Sequence, residues 1–361
     1  MLPLGTPAPL FKAPTPSSPS FNFGMVGGRY LVLAFPGPAD LPMVREAVAA
    51  RRRLFDDEFC AFFGVLREPG VIAAAADEPP GVRWFLDGDG TVSRLYGFLG
   101  EDGREQTGWV VLDPSMRVLA TAPIADGPKL LAQVAGLPPV NEHAGVPMHA
   151  PVLIVPRVFE AAFCRRLIDV YEAQGGAPSG FMREVEGKTV EIRDPSHKRR
   201  SDCFITDPEL KEAARARLSK RLLPEIVKAF QFTVTRIERD IVACYDSADA
   251  GFFRAHRDNT TKGTAHRKFA VTLNLNTGAY DGGELRFPEF GARTYRAPLG
   301  GAVVFSCSLL HEATPVTRGR RYAYLPFLYD EAGAAIREQN ARFLAKGGSY
   351  SAGRSETAAS A

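Results

Sequence analysis

The sequence predicts two domains in tandem: an α/β layered domain, then a domain of helices packed on a β-sandwich or jelly roll. Three observations lead there. The chain has 361 residues, long for one domain and comfortable for two. Around residues 137–151 (LPPVNEHAGVPMHAP) periodicity disappears and prolines accumulate, as in a linker. Upstream, strand-like runs alternate with helical spacing; downstream, helical spacing comes first and period-two alternation follows. The expected division is a first domain over 1–140, a linker over 141–150, a second domain over 151–345, and a small, polar, disordered tail over 346–361.

In the first domain, residues 29–35 (RYLVLAF) read as a short buried strand, and 42–55 as an amphipathic helix with arginines on its polar side. Further strand-like runs follow at 61–66, 71–75, 109–113 and 117–121, and a closing helix at 129–135. In the second domain, 159–174 has helical spacing and stops at Gly175-Gly176, a C-terminal cap signal. Asp207-Pro208 opens another helix, with Asp as N-cap and Pro in the first turn, and Pro224 bends or restarts it. From Ile241 onward the period is two. Phe269, Val271, Leu273 and Leu275 share one face; Ala270, Thr272, Asn274 and Asn276 share the other. Residues 180–201 are charged, with one strand-like stretch at 189–192, and read as a solvated loop or a lid.

Composition excludes several classes. A 45% hydrophobic and 24% charged chain of net charge +3 gives no electrostatic reason for a nucleic-acid or acidic-membrane partner. No run of eighteen apolar residues suggests a membrane span, and the N-terminus lacks the pattern of a secretory signal. Five scattered cysteines without CxxC spacing read as reduced thiols, which points to the cytoplasm.

The chemistry concentrates between Tyr245 and Arg321. His256-Arg257-Asp258 is an H-x-D pair, and His311 follows in SLLHEATPV. Two imidazoles and a carboxylate on one face of a metal leave positions open, the donor set of non-haem Fe(II) oxygenases. Side chains two apart on a strand point the same way, so H-x-D can supply two neighbouring ligands. With six histidines, a chance H-x-D arises about one time in three at ordinary Asp frequency, so the pair alone proves little. Lone histidines such as His143, His197 and His266 read as surface or satisfied core residues. The same triad also suits a zinc hydrolase. A kinase catalytic loop is excluded, because no Gly-rich phosphate loop or DFG accompanies the HRD.

The company of the pair carries a resemblance. VACY (242–245), GFFRAHRDN (251–259), FAVTLNLN (269–276), GGELRF (282–287) and GGAVVFSCSLLHEATPVTRGRRYA (300–323) resemble, in order and spacing, the prolyl 4-hydroxylase superfamily of Fe(II)/2-oxoglutarate dioxygenases. The resemblance covers roughly 150–330 and implies a double-stranded β-helix, or jelly roll, with supporting helices. It implies His256, Asp258 and His311 as iron ligands and Arg321 as the holder of the distal carboxylate of 2-oxoglutarate. A guanidinium grips a carboxylate through two parallel hydrogen bonds. Arg318 and Arg320 are the alternatives; alternation lets one parity face the cavity, and the family spacing favours Arg321. Tyr245 is expected to line the cosubstrate pocket, as is Asn274, which stands where some relatives carry a cosubstrate-binding tyrosine. Asp258 is a carboxylate where related halogenases have a small residue, so hydroxylation is the expected outcome. The implied cofactors are Fe(II), 2-oxoglutarate and dioxygen, with ascorbate as an accessory reductant. The implied substrate is a prolyl or other residue of a protein or peptide, with free amino acids and small metabolites as alternatives.

Residues 3–136 resemble a peroxiredoxin, of thioredoxin-like fold, through GTPAP (5–9), LVLAFPGPADLP (31–42) and GWVVLDPSMRV (108–118). The departures are instructive. Val44 stands where the family has its reactive cysteine, and Thr107 where it has a catalytic arginine. A peroxidase needs a thiolate nucleophile, and valine cannot serve. Cys60, the one cysteine of this domain, reads as an inert buried thiol. The expected role is interaction: presenting substrate, or forming a homodimer. The competing reading of the whole chain is a non-catalytic adaptor with an inactive oxygenase half.

Overall fold

In the computed structural model, residues 2–345 are described; the tail expected over 346–361 lies outside them. The chain forms two compact units, one running to His149 and including Phe287–Arg293, the other comprising Ala150–Arg286 and the chain from Thr294 onward.

Unit 1 begins with a hairpin, β1 (Lys12–Thr15) and β2 (Ser18–Asn22). It continues β3 (Tyr30–Phe35), α1 (Leu41–Ala50), β4 (Cys60–Leu66), α2 (Pro69–Ala73), β5 (Val82–Leu86), α3 (Thr91–Leu95), β6 (Gly108–Leu112), β7 (Val118–Pro123) and α4 (Gly127–Ala135). The sheet order is β5-β4-β3-β6-β7; β3, β4, β5 and β7 run in one direction and β6 in the other. Both faces of β3 and β4 are buried under apolar clusters, which explains their unbroken apolar runs. Two expectations need correction. Residues 71–75 are no strand: Pro69 starts a short helix, and the run after Val71-Ile72 is alanine, a helix former. The hairpin β1–β2 and strand β5 escape the pattern reading, since their apolar residues are interrupted by Pro, Ser and Arg.

Unit 2 contains β8 (Leu153–Val155), α5 (Ala161–Gln174), β9 (Ala177–Pro178), β10 (Phe181–Val185), β11 (Lys188–Ile192), β12 (Lys198–Arg199), β13 (Ser201–Phe204), α6 (Pro208–Arg221), α7 (Leu223–Phe230), β14 (Arg236–Glu238) and β15 (Ile241–Asp246). There follow β16 (Phe252–His256), β17 (Phe269–Asn274), β18 (Asp281–Gly282), β19 (Leu285–Arg286), β20 (Thr294–Tyr295), β21 (Ala302–Ser306), β22 (His311–Ala313), β23 (Val316–Arg318), β24 (Arg320–Tyr324), β25 (Phe327–Tyr329) and α8 (Glu331–Asn340). The helix signals act as read: Gly175 caps α5 with φ 74, and Asp207 accepts from the amides of Glu209 and Leu210.

The strands form a nine-stranded and a five-stranded antiparallel sheet, a jelly-roll arrangement. One face of the larger sheet, carrying Val242, Val271, Leu273, Val304 and Tyr324, packs on α5, α6 and α7 through one apolar core. The opposite face, carrying Tyr245, Thr272, Asn274, Arg321 and Ala323, is left for chemistry. The charged segment 180–201 is not a loop. β10 and β11 pair across Glu186-Gly187, both left-handed (φ 49 and 72), as a two-residue hairpin turn requires. Phe181 packs by Tyr245 and Phe253, and Thr189 Oγ1 accepts from the amide of Gly263 at 2.9 Å.

Candidate metal and cosubstrate site

His256 ends β16 and His311 begins β22; the two residues are direct cross-strand partners, with ring centroids 4.3 Å apart. Asp258 lies just past the end of β16, so strand parity does not place it. Its own amide does, donating to the Cys307 carbonyl at 3.0 Å. Asp258 Oδ1 is 3.5 Å from His256 Nε2, and its Oδ2 is 3.3 Å from His311 Nε2. One potential ligand atom from each residue lies within 4.8 Å of the others.

The tautomers are set by backbone. His256 Nδ1 meets the Arg254 carbonyl at 2.8 Å, and His311 Nδ1 the Leu309 carbonyl at 2.9 Å. Each Nδ1 therefore carries the proton, and each Nε2 turns a lone pair toward the gap between the rings. Phe253 stacks on His256 at 3.5 Å and Phe305 lies edge-on to His311 at 4.6 Å, fixing both rings in apolar surroundings. Burial pushes His256 down to about 4, and His311 beside it adds to the effect. Burial alone would raise Asp258, but His311 and His256 hold it well below the usual carboxylate range. A neutral imidazole and an ionised carboxylate are the ligating forms.

Arg321 in β24 faces the same interior; its partner across the sheet is Tyr245, whose ring lies 4.9 Å from the guanidinium carbon. Arg321 is 2% exposed, and its Nε and Nη1 find no hydrogen-bond partner. A buried guanidinium with two unsatisfied donors is a cradle for a bidentate carboxylate. Gly283 makes room for it: a Cβ there would lie 2.8 Å from Arg321 Cδ, and its φ is +64. The neighbouring candidates point away, Arg318 pairing with Asp281 at 2.6 Å and Arg320 with Asp246 at 2.7 Å. Asn274 is buried on the same face; its Nδ2 donates to the Ala297 carbonyl at 3.0 Å, and its Oδ1 has no partner. The donor set and the empty guanidinium fit Fe(II) and a dicarboxylate; a zinc hydrolase has no use for the second.

Sequence reasoning missed Arg200, Asp202, Lys198 and Arg239. Arg200 and Asp202, two apart in and beside β13, form a buried pair at 2.7 Å, and Arg200 donates to Tyr245 Oη at 3.4 Å. The RxD spacing was the available signal. Lys198 Nζ donates to Ser179 Oγ and to the Gly180 carbonyl. His266, read as a surface or satisfied core residue, is fully buried against Glu238 at 2.5 Å, with its Nδ1 left without a partner.

Comparison with known proteins fits this geometry. Residues 241–329 match the 2OG-Fe(II) oxygenase superfamily. A PKHD-type hydroxylase of Burkholderia thailandensis is 30% identical over 185 residues, covering 49% of this chain and 74% of that protein. A PKHD-type hydroxylase of Burkholderia cenocepacia is 25% identical over 191 residues, with the same two coverages. Among solved structures, a prolyl hydroxylase of Trichoplax adhaerens in complex with a hypoxia inducible factor peptide fragment gives a TM-score of 0.40 at 16% identity, covering 52% of this chain and 86% of that one. The chain belongs to the 2OG-Fe(II) oxygenase superfamily. It is a 2-oxoglutarate-dependent non-haem iron dioxygenase, similar to the PKHD-type hydroxylases, and uses Fe(II), 2-oxoglutarate and dioxygen.

Proposed function

We propose that the protein hydroxylates an aliphatic carbon, in a prolyl or other residue of a protein or peptide, with His256, Asp258 and His311 as iron ligands and Arg321 as the anchor of 2-oxoglutarate. The observation that carries this is the juxtaposition of a three-ligand cluster with a buried guanidinium whose Nε and Nη1 are unsatisfied. When bound, Fe(II) with 2-oxoglutarate and dioxygen would supply the oxidising power and the oxygen atom. The chain's own share is positional. The two histidines, through Nε2, and the Asp258 carboxylate would hold the metal. Arg321 holds the distal carboxylate, Tyr245 braces the guanidinium from one side, and Phe253 and Phe305 keep water from the imidazoles. The retained carboxylate of Asp258 supports hydroxylation.

For unit 1 the reading is a thioredoxin-like domain of peroxiredoxin type without peroxidase chemistry. The strand order β5-β4-β3-β6-β7, with β6 alone running against the other four strands, supports it. Val44 is fully buried, and burial pushes the Cys60 thiol far up, with Asp56 adding to it, so no thiolate is on offer. Its role is to bind a partner: the substrate or a second copy of the chain. The five free cysteines, all buried, support a reducing, cytoplasmic setting; among the described residues no helix is long and apolar enough to cross a membrane.

The test is 2-oxoglutarate turnover to succinate by protein loaded anaerobically with Fe(II). Wild type turns over slowly without substrate, His256→Ala does not, and ascorbate prolongs the activity. A folded, iron-loaded wild type that neither binds nor turns over 2-oxoglutarate would leave the adaptor reading in its place.

A further inference from the structure

Two strand pairs of the large sheet break at the same level. Glu238 of β14 faces Phe327 of β25, and Val242 of β15 faces Tyr324 of β24. Three residues, 239 to 241, thus stand opposite two, 325 and 326: a β-bulge, a device that re-aims a side chain. Arg239 is the residue in left-handed backbone, φ 73. Glycine adopts that conformation freely and arginine does not, so the position is strained for what it carries.

The bulge delivers the side chain to the chemical face. Arg239 Nε donates to the Leu325 carbonyl at 3.3 Å, and the guanidinium carbon lies 4.7 Å over the Phe327 ring. Leu325 packs with Ile241, Ala243 and Ala323, apolar residues of the same face as Arg321 and Tyr245. The charges Arg239 feels most are Arg200, Asp202, Arg267 and Asp258, from the interior and the metal cluster. Burial, with Arg200 and Arg267 adding to it, lowers Arg239 to about 10, which leaves it cationic at neutral pH.

The neighbouring charges are committed elsewhere. Arg200 pairs with Asp202 at 2.7 Å and Arg267 with Glu238 at 2.8 Å. Asp258 belongs to the histidines, and Arg321 to the cosubstrate. Among the described residues no carboxylate forms an ion pair with Arg239; its recorded contacts are a carbonyl and a ring. A part-buried cation without a counter-ion loses some of its solvation, and an incoming anion recovers that cost.

We propose that Arg239 receives a carboxylate of the substrate, so that the molecule hydroxylated carries a carboxylate, from a chain terminus or an acidic side chain, close to the attacked carbon. This rests on the oxygenase reading and narrows its substrate. It separates two anion sites on one face of the sheet: Arg321 for 2-oxoglutarate, Arg239 for substrate.

The experiment uses full-length protein loaded with Mn(II) and saturated with N-oxalylglycine, which mimics 2-oxoglutarate and is not consumed. Calorimetric titration with N-acetyl-L-proline and propionate is set against their neutral counterparts, N-acetyl-L-prolinamide and propionamide. The carboxylates bind saturably and the amides at least about tenfold more weakly. Arg239→Gln weakens the carboxylates by about tenfold or more, Arg239→Lys recovers part of the loss, and both substitutions cost N-oxalylglycine less than they cost the probes. Arg321→Met reverses that ranking. Carboxylates that fail to bind, amides that bind as well, or an Arg239→Gln variant that loses N-oxalylglycine more than the probes would each overturn the proposal. If wild-type protein with Mn(II) does not bind N-oxalylglycine, the oxygenase reading falls and takes this one with it. If it does, failure with the probes is failure of the Arg239 assignment alone.

Discussion

Asp87 of unit 1 and Arg321 on the inner face of the unit 2 jelly roll are buried polar groups treated in opposite ways. In unit 1 the deeply buried acid, Asp87, is saturated: it accepts from the amides of Val92 and Ser93 at 2.8 and 2.9 Å and from Ser93 Oγ at 2.7 Å. It ties the loop after β5 to the first turn of α3 and does nothing more. In unit 2, Arg321 and Asn274 are as deeply buried, yet each keeps atoms with no partner. An unsatisfied buried polar group costs about 1–3 kcal/mol, more when charged. A fold sustains that cost where something from outside completes the set. Saturated polar burial reads as architecture, and unsatisfied polar burial as a place for a ligand.

The contrast predicts opposite signs. Asp87→Ala strands three donors and destabilises by about 3 kcal/mol, at about 1 kcal/mol for each hydrogen bond lost. Chemical denaturation reports this as a lower midpoint with unchanged slope. Arg321→Met removes a charge that has no partner in the ligand-free protein, so the variant unfolds no earlier than wild type. Its cosubstrate affinity nevertheless falls by about a hundredfold, the usual loss for one side of a buried charged pair. An Arg321→Met variant that unfolds several degrees early would break the comparison, since its guanidinium would then be structural.

A subtler effect tests whether the buried ion pair behind Tyr245 belongs with the architecture. Burial pushes the Asp202 carboxyl up, but Arg200 and Lys198 more than offset it and hold it at about 2, against an ordinary 3.8. A carboxylate depressed by folding stabilises above its unfolded value and loses that stabilisation as pH falls through its folded value. Asp202 therefore contributes about 2 kcal/mol above pH 4, fading toward pH 2. Asp202→Asn should be less stable than wild type at pH 6 by at least about that amount, and the gap should narrow at pH 2.5. A gap independent of pH would assign the loss to packing instead.

Much of this was legible in the sequence, and the parts that were not share a cause. Period-two alternation over 269–276 assigned both faces of β17 correctly, because one face meets the helices and the other the cavity. The donor triad was readable because HxD is local and His311 sits in a recognisable segment. Asp258, however, was expected on a strand and is held by its amide to Cys307 instead. Residues 71–75 looked like a strand because an apolar run of five carries no period. Arg239 was invisible for a stronger reason: a bulge is a mismatch between two strands eighty residues apart, and neither strand alone records it.

The smallest expected effect concerns Cys60, and here unit 1 supplies the negative side of the comparison. The thiol is fully buried in β4, and its one polar contact is with the Ala61 carbonyl at 3.9 Å. Desolvation disfavours the thiolate, and no basic residue is placed to rescue it: Asp56 works against ionisation, and Arg29 only partly offsets that. The full-length protein should therefore consume no peroxide with a thiol donor. Cys60→Ser should leave that blank rate where it is, while lowering stability by about 1 kcal/mol, the cost of a hydroxyl in an apolar site. Peroxide turnover that disappears in Cys60→Ser would show that unit 1, like the jelly roll, keeps a reactive group behind an apolar wall, and the distinction between architecture and chemistry would no longer separate the two units.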